Sequence, residues 1–529
     1  MVVQVYSLLV IMRGIKMYIN PQTNIRILSN VPLDTTYDHT IYFDSASAQN
    51  SYFVSLQKYN LTNYTYQRVK RGVARVGIKA DNLYDCNYMM FQNTAYGNKW
   101  FYAFITSVEY INNECSEISF ELDVMQTWFF EHEPDYCFVE REHSVTDELW
   151  ENLIPENLEL GDYTITKKDT FDMSPFDVCI LSSKTSSGAN PTGKTINNVY
   201  TPLNVIAGIP STDALSLNNA LSWFIENGKE DAIASIYMYP SFLGDASTTT
   251  PQVINKFIRP NLTSIDGYTP KNKKLFSYPY SMLVVSNNSG QTAEYKWEQW
   301  NNDETGGTFK IEGVFVSTPC VICYPTNYRG ISEDVDSGLT YNNFPQVPWV
   351  GDTYKRWIAQ NKNTITTGLI STAISGALTV AGLASGNPLA ALLSVGHSSN
   401  TLGSSVNNVM ARTIDAKNTP PQVHGQVQCD SLNTGAGRCE FTFLHTCIRA
   451  QFARSIDEYF SMFGYATRRV KKPNRNSRPH WNYVKTIGAT VTGSVPADDM
   501  QKICSIYDNG ITFWKNGSEV GQYNLDNTV

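Results

Sequence analysis

The chain has 529 residues, with 41 Lys and Arg against 49 Asp and Glu, a net charge of −8 at pH 7. Its length exceeds one compact core and suggests roughly three domains, and its acidic balance argues against a protein that binds nucleic acid by neutralising phosphates, though not against a tube through which DNA slides. Hydrophobic residues at 42%, charged residues at 17% and aromatics at 12% describe a globular chain low in charge, and its Tyr, Thr and Asn favour strands over helices.

Residues 1–16 carry a short apolar run with no basic residue before it and no clear cleavage site, a poor match to a signal peptide. Met17 precedes the first strand-like sequence, so 1–16 is expected to be an N-terminal extension. Residues 17–165 read as a β domain. Its clearest piece is a long hairpin over 100–126, with the turn at Asn112-Asn113. Ile118, Phe120, Leu122 and Val124 are assigned to one face of its second strand, and Ser119, Glu121 and Asp123 to the other. The segment HSVTDELWENLIP predicts a short helix, capped by Ser144 or Thr146, with Asp147 and Glu148 in its first turn and Pro155 at its end.

Residues 166–350 read as a middle β domain with a helix near 215–227 and polar loops at 182–198 and 244–251. The ten cysteines are scattered among apolar neighbours, as reduced, core-packed thiols are. Cys320 and Cys323 form a CxxC without a second pair to complete a zinc site, which leaves them as residues of a buried strand.

At 351–415 the pattern changes. A helix-compatible segment, DTYKRWIAQNKN, leads into residues 363–411, which contain no Asp, Glu, Lys or Arg. Within 365–396, 17 of 32 residues are Ala, Val, Ile or Leu, eight are Ser or Thr, and five are Gly. That mixture is apolar enough for a bilayer and polar enough to be held in a protein cavity first. Gly386-Asn387-Pro388 splits the run into two arms. The first, at ~1.5 Å per residue, reaches about 32 Å if helical, against a bilayer core of about 30 Å. Its apolar positions are Leu369, Ile370, Ile374, Leu378, Val380 and Leu383; the second arm supplies Leu389, Leu392, Leu393 and Val395. Gly376, Gly382 and Gly386 punctuate the run, and the last two form a GxxxG that lets helices approach closely. His397 is either a pH sensor or a polar residue at the segment's edge. The run as a whole is either a conditional membrane segment or a buried helical hairpin that never moves.

Residues 416–529 return to β. Strands are expected at 423–427 and 439–448, then a helix over SIDEYFSMFGYA with Ser455 as N-cap, then a final hairpin ending near ITFWKN. Between them lies a basic stretch, Arg468, Arg469, Lys471, Lys472, Arg475 and Arg478, with Trp481 and Tyr483. It suits either DNA phosphates with aromatic stacking or the acidic surface of a neighbouring subunit. No HExxH, GxSxG, P-loop or dinucleotide fingerprint appears among these residues. Glu131, His132, Glu133, Glu140, Glu142 and His143 cluster in sequence, as acid–base groups or as a solvated edge or subunit contact.

The pieces FDSASAQNSYFVS, WFYAFITSVEYINNECSEISFELDVMQTWFF, VEREHSVTDELWENLIPENLELGDY, the uncharged run after WIAQNKN, and FGYATRRVKKPNRNSRPHWNYVKT with ITFWKNG resemble, in that order, the tail knob proteins of picovirus-type short-tailed bacteriophages. The resemblance spans about 18–520. It implies a mainly β chain of tail-tube-like barrel or sandwich domains with a long apolar loop insertion and a few short helices, assembled as a homohexameric ring in the distal tail of the virion. In such a ring six apolar loops, here 363–411, plug the lumen and later leave it to enter the host cytoplasmic membrane. Implied partners are further copies of the chain, the lower collar or tail tube protein, that membrane, and phage DNA in transit without sequence specificity. No cofactor and no enzymatic activity are implied. Rival readings are a receptor-binding or cell-wall-degrading tail protein, which needs a sugar cleft, and a secreted pore-forming protein, which needs a secretion route.

Overall fold

The computed structural model describes residues 22–64, 72–227, 229–300, 307–347, 349–350, 423–424 and 439–529. It is mainly β and forms two compact units that interleave along the chain. Unit 1 comprises Met1–Glu159, Pro270–Lys274 and Arg454–Val529; unit 2 comprises Leu160–Thr269 and Leu275–Ala453.

Unit 1 is built on a six-stranded antiparallel sheet in the order Gln57–Tyr64, Thr23–Ser29, Cys86–Asn93, Trp100–Asn112, Cys115–Leu122, Val73–Val76. The outermost strands are consecutive in sequence yet stand at opposite edges. The sheet curls until they approach, and the Gly77 N–H donates to the Tyr64 hydroxyl at 2.7 Å. Period-2 alternation serves two cores. Ile25, Ile27, Met89, Ala103 and Ile118 fill the inside of the curl. Leu28, Tyr88, Met90, Tyr102 and Phe104 face the other way and pack with Val484, Ile503, Ile506, Tyr507 and Phe513. The expected hairpin is present. Its distal half, from Thr106 to Glu114, lacks this double cover and is largely exposed. Asp123 does not point to solvent as expected. It is buried, caps the short helix Val124–Thr127 by accepting the Gln126 N–H at 3.1 Å, and accepts the Tyr88 hydroxyl at 2.8 Å.

A second sheet of unit 1 gathers distant segments in the order His39–Ile41, Ile511–Trp514, Trp481–Ile487, Cys137–Glu142, Tyr465–Lys471. The expected final hairpin is not a simple one. Trp481–Ile487 and Ile511–Trp514 do pair antiparallel, but helix Ala497–Asn509 lies between them in sequence. That helix buries Ile503, Ile506 and Tyr507 at helical spacing, carries Asp498 and Asp499 in its first turn, and ends at Gly510 with φ 96°. The helix expected over HSVTDELWENLIP does not form. Its capping groups are engaged in tertiary contacts instead: Asp147 accepts the Tyr465 hydroxyl at 2.7 Å and the Lys273 N–H at 3.0 Å, and Thr146 donates to Glu151 at 2.7 Å. The helix expected from Ser455 begins earlier, at Ala450–Phe463. Asp457 therefore sits in mid-helix, where its buried carboxylate accepts the backbone N–H groups of Lys271 and Asn272 at 2.8 and 3.0 Å.

Unit 2 contains three larger sheets. One runs Tyr163–Asp172, Glu440–Ile448, Ser281–Ser286, Thr292–Tyr295; another runs Asn204–Pro210, Phe176–Ser182, Ile233–Pro240, Gln346–Val347. The third runs Val253–Ile258, Gly307–Val314, Cys320–Tyr328, Ile331–Glu333, with Leu339–Tyr341 also on Cys320–Tyr328. Helix Ala214–Glu226 stands where the sequence placed it and packs Leu221 and Phe224 with Val178, Ile180 and Ile236. Cys320 and Cys323 lie in one strand as expected, and all nine described cysteines are free thiols.

Candidate functional site

Two features bear on function, one in each unit. In unit 2, Trp349–Val350 pairs antiparallel with Val423–His424, Trp349 opposite His424 and Val350 opposite Val423. The ladder pairs the two segments that flank 351–422 in sequence. The expected loop positions Leu369, Ile370, Ile374, Leu378, Val380, Leu383, Leu389, Leu392, Leu393 and Val395, the glycines Gly376, Gly382 and Gly386, and His397 all lie outside the described residues. Among the described residues no helix is long and apolar enough to cross a membrane.

In unit 1, the basic stretch occupies the edge strand Tyr465–Lys471 and the turn after it. Its six cations do not form one surface. Arg478 is buried, and burial pulls its guanidinium below its usual range while its Nη1 reaches the Asn527 carbonyl at 3.5 Å. Lys471 pairs with the buried carboxylate of Glu142, which also accepts the Asn474 N–H at 3.0 Å. Arg475 is half-buried and stands 5.8 Å from the Phe129 ring. Arg468, Arg469 and Lys472 are exposed. The register against Cys137–Glu142 shifts between Ala466 and Arg469, which inserts one extra residue. Arg468 takes φ 44° in that bulge, a conformation that costs a non-glycine residue roughly 1 kcal/mol and re-aims the side chains around it.

The aromatic half of the expected DNA contact is not available. Trp481 is fully buried and donates its indole N–H to the Ser461 carbonyl at 3.1 Å. Tyr483 is half-buried with its ring 5.1 Å from that of Phe463. The cluster from Glu131 to His143 is likewise not a solvated edge throughout. His132 and His143 are buried, and burial holds them neutral, at about 4 and about 3. His143 accepts the Tyr483 N–H at Nδ1 (2.7 Å), and its Nε2 faces the Ser461 carbonyl at 3.1 Å, which fixes the Nε2–H tautomer. Glu156, which no sequence signal singles out, is the centre of a buried ion cluster. It meets Lys274 at 2.5 Å and also pairs with Arg141. Breaking such a cluster leaves a charge without compensation, so its role is structural.

The curled antiparallel sheet with its exposed hairpin lies in the part of the chain that matches a phage tail-protein family. The first part of the chain, residues 21–133, matches the family model for the N-terminus of the caudoviral major tail protein. Residues 245–528 match the model for the C-terminal domain of tail knob protein gp9 of Bacillus phage phi29, and the chain belongs to that tail knob family. Along almost its whole length it is similar to tail knob protein gp9 of Bacillus phage PZA (26% identity, 96% of this chain and 98% of the relative) and of Bacillus phage B103 (27%, 96% and 98%). Its fold is also that of the bacteriophage C1 tail knob protein gp12, with a TM-score of 0.63 at 15% identity, over 96% of this chain and 100% of that one.

Proposed function

We propose that the chain is the subunit of a ring-shaped distal tail tube, through which a short-tailed phage ejects its genome. In this reading six copies form the tube, and the lower collar or tail tube protein is its neighbour in the virion. The insertion containing 363–411 plugs the lumen and then enters the host cytoplasmic membrane. The observation that carries the reading is the near full-length similarity to tail knob proteins, joined to an uncharged run whose flanking segments, Trp349–Val350 and Val423–His424, pair with each other as a neck.

The physical logic is a change of surroundings. Burying a large apolar side chain is worth about 1.5–3 kcal/mol, so loops gathered in one lumen cohere while dry. Expelled into water, the same surface prefers lipid, and the absence of Asp, Glu, Lys and Arg removes the cost of carrying charge into the bilayer. Small residues at four-residue spacing, Ala373 and Ala377, then Gly382 and Gly386, suit close helix contacts there.

Dye leakage from anionic liposomes tests the reading. The full chain is compared with one in which 363–411 is replaced by a short Gly-Ser turn across the neck, at neutral and mildly acidic pH. Leakage that requires the insertion is expected. Equal leakage from both, or none from either, would remove the membrane step and leave a tube alone.

A further inference from the structure

Among the described residues the edge strand Tyr465–Lys471 has a neighbour on one side only, Cys137–Glu142. Across the sheet, Val470 stands opposite Phe138, and Phe138 opposite Ile487, so the three share one row on one face. Val470 is 69% exposed and Ile487 57% exposed, an apolar row open to water at a free sheet edge. Nearby cations divide into two groups. Lys471 and Lys485 already have partners, Glu142 and Glu140. Among the described residues Arg468, Arg469 and Lys472 have no carboxylate partner, and they remain as a net positive rim. A free edge with apolar residues beside it is a template for another chain unless something covers it.

The opposite chemistry stands on the other sheet of unit 1. The hairpin tip exposes Tyr110 (59%) and Ile111 (41%) between Glu109 and Glu114. In and just after the neighbouring strand Val73–Val76 the cations are spent, Arg75 on Glu117 at 2.8 Å and Lys79 on Asp81 at 2.6 Å. Among the described residues neither Glu109 nor Glu114 forms an ion pair. Cys86–Asn93 pairs the hairpin's first strand only from Trp100 to Phe104, so among the described residues no strand covers the outer edge of 106–112.

We infer that the edge strand Tyr465–Lys471 and its apolar row dock the acidic hairpin tip of a second copy of this chain. Apolar meets apolar, three unpaired cations meet two unpaired carboxylates, and two open strand edges meet each other. The inference deepens the proposed ring, on which it rests, by assigning one surface to each side of the subunit contact. A surface that offers a basic edge and an acidic tip at separate places makes a head-to-tail contact, the kind that closes into rings.

The test uses the full chain with paired cysteines, Val470→Cys with Ile111→Cys, under mild oxidation, followed by denaturing electrophoresis and sedimentation. A ladder of covalent oligomers from the double variant, absent from either single variant and from the parent chain, is expected. In parallel, Arg468→Glu with Arg469→Glu should raise the concentration of half-assembly roughly tenfold or more, and adding Glu109→Lys with Glu114→Lys should restore it. Rings that form without a ladder overturn this contact while leaving the ring standing. A chain that stays monomeric overturns both. Salt-dependent binding of duplex DNA to the basic edge, again without a ladder, overturns the contact in favour of a nucleic-acid face.

Discussion

His143 occupies a site that admits only its neutral form. Burial, with help from the guanidinium groups of Arg478 and Arg141, lowers it to about 3, and both ring nitrogens are engaged by backbone groups. In the unfolded chain a histidine takes up its proton near 6.5. The stabilisation is therefore whole above that value and is lost as pH falls from about 6.5 toward 3. By pH 5 the loss is about 2 kcal/mol. Asp123, raised to about 6 by burial, works in the opposite direction over the same interval. Replacing His143 isolates its share. The thermal midpoint of His143→Gln should fall less between pH 7 and pH 5 than that of the parent chain; equal falls would refute the assignment. Nothing in the sequence marks this residue as buried, because it sits among Glu and Arg in VEREHS. Its burial comes from Ser461 and Tyr483, more than 300 residues away in sequence.

Elements whose signal is local were legible, and those that depend on distant partners were not. The hairpin Trp100–Asn112 and Cys115–Leu122 followed from alternation and a tolerant Asn-Asn turn. Helix Ala214–Glu226 stands where a helix was expected near 215–227. The segment after His143 has all the marks of a helix N-terminus, yet Asp147 is claimed by Tyr465 and Lys273. Helix Ala497–Asn509 was legible in principle, since Pro496, Asp498-Asp499 and Ile503, Ile506, Tyr507 spell its start and its buried face. The basic stretch illustrates the limit most clearly. Six cations look alike in sequence, and only the fold separates three exposed ones from Lys471, Arg475 and Arg478. At the neck, Val350 and Val423 are directly opposed. Opposed Cα atoms in an antiparallel pair lie about 4.5–5.5 Å apart, within the span a disulfide bridges. Val350→Cys with Val423→Cys should therefore oxidise to an internal cross-link, detected as a loss of two free thiols with no change in mass class on electrophoresis. Thiols that stay free would show that the neck does not hold in solution.

For the whole molecule, the proposed mechanism separates building the tube from delivering the genome. Ile374→Asp with Leu378→Asp places two charges in the apolar run, at positions outside the described residues. Particles carrying it should assemble in normal numbers and adsorb to cells, yet fail to deliver DNA, measured as phage DNA reaching the cytoplasm. Normal delivery would sink the membrane step. The interleaving of the units also sets an order of events during translation. His39–Ile41 lies parallel to Ile511–Trp514, so a strand made near the start waits for one made near the end. At ~5–20 residues per second, the ribosome needs on the order of 25–100 s to travel from the first to the second. Through that interval the early half of unit 1 lacks Val484, Ile503, Ile506, Tyr507 and Phe513, which pack on the sheet's second face. A chain truncated by a few dozen residues loses Ile503, Ile506, Tyr507 and Phe513 from that face, and apolar surface left open in this way favours aggregation.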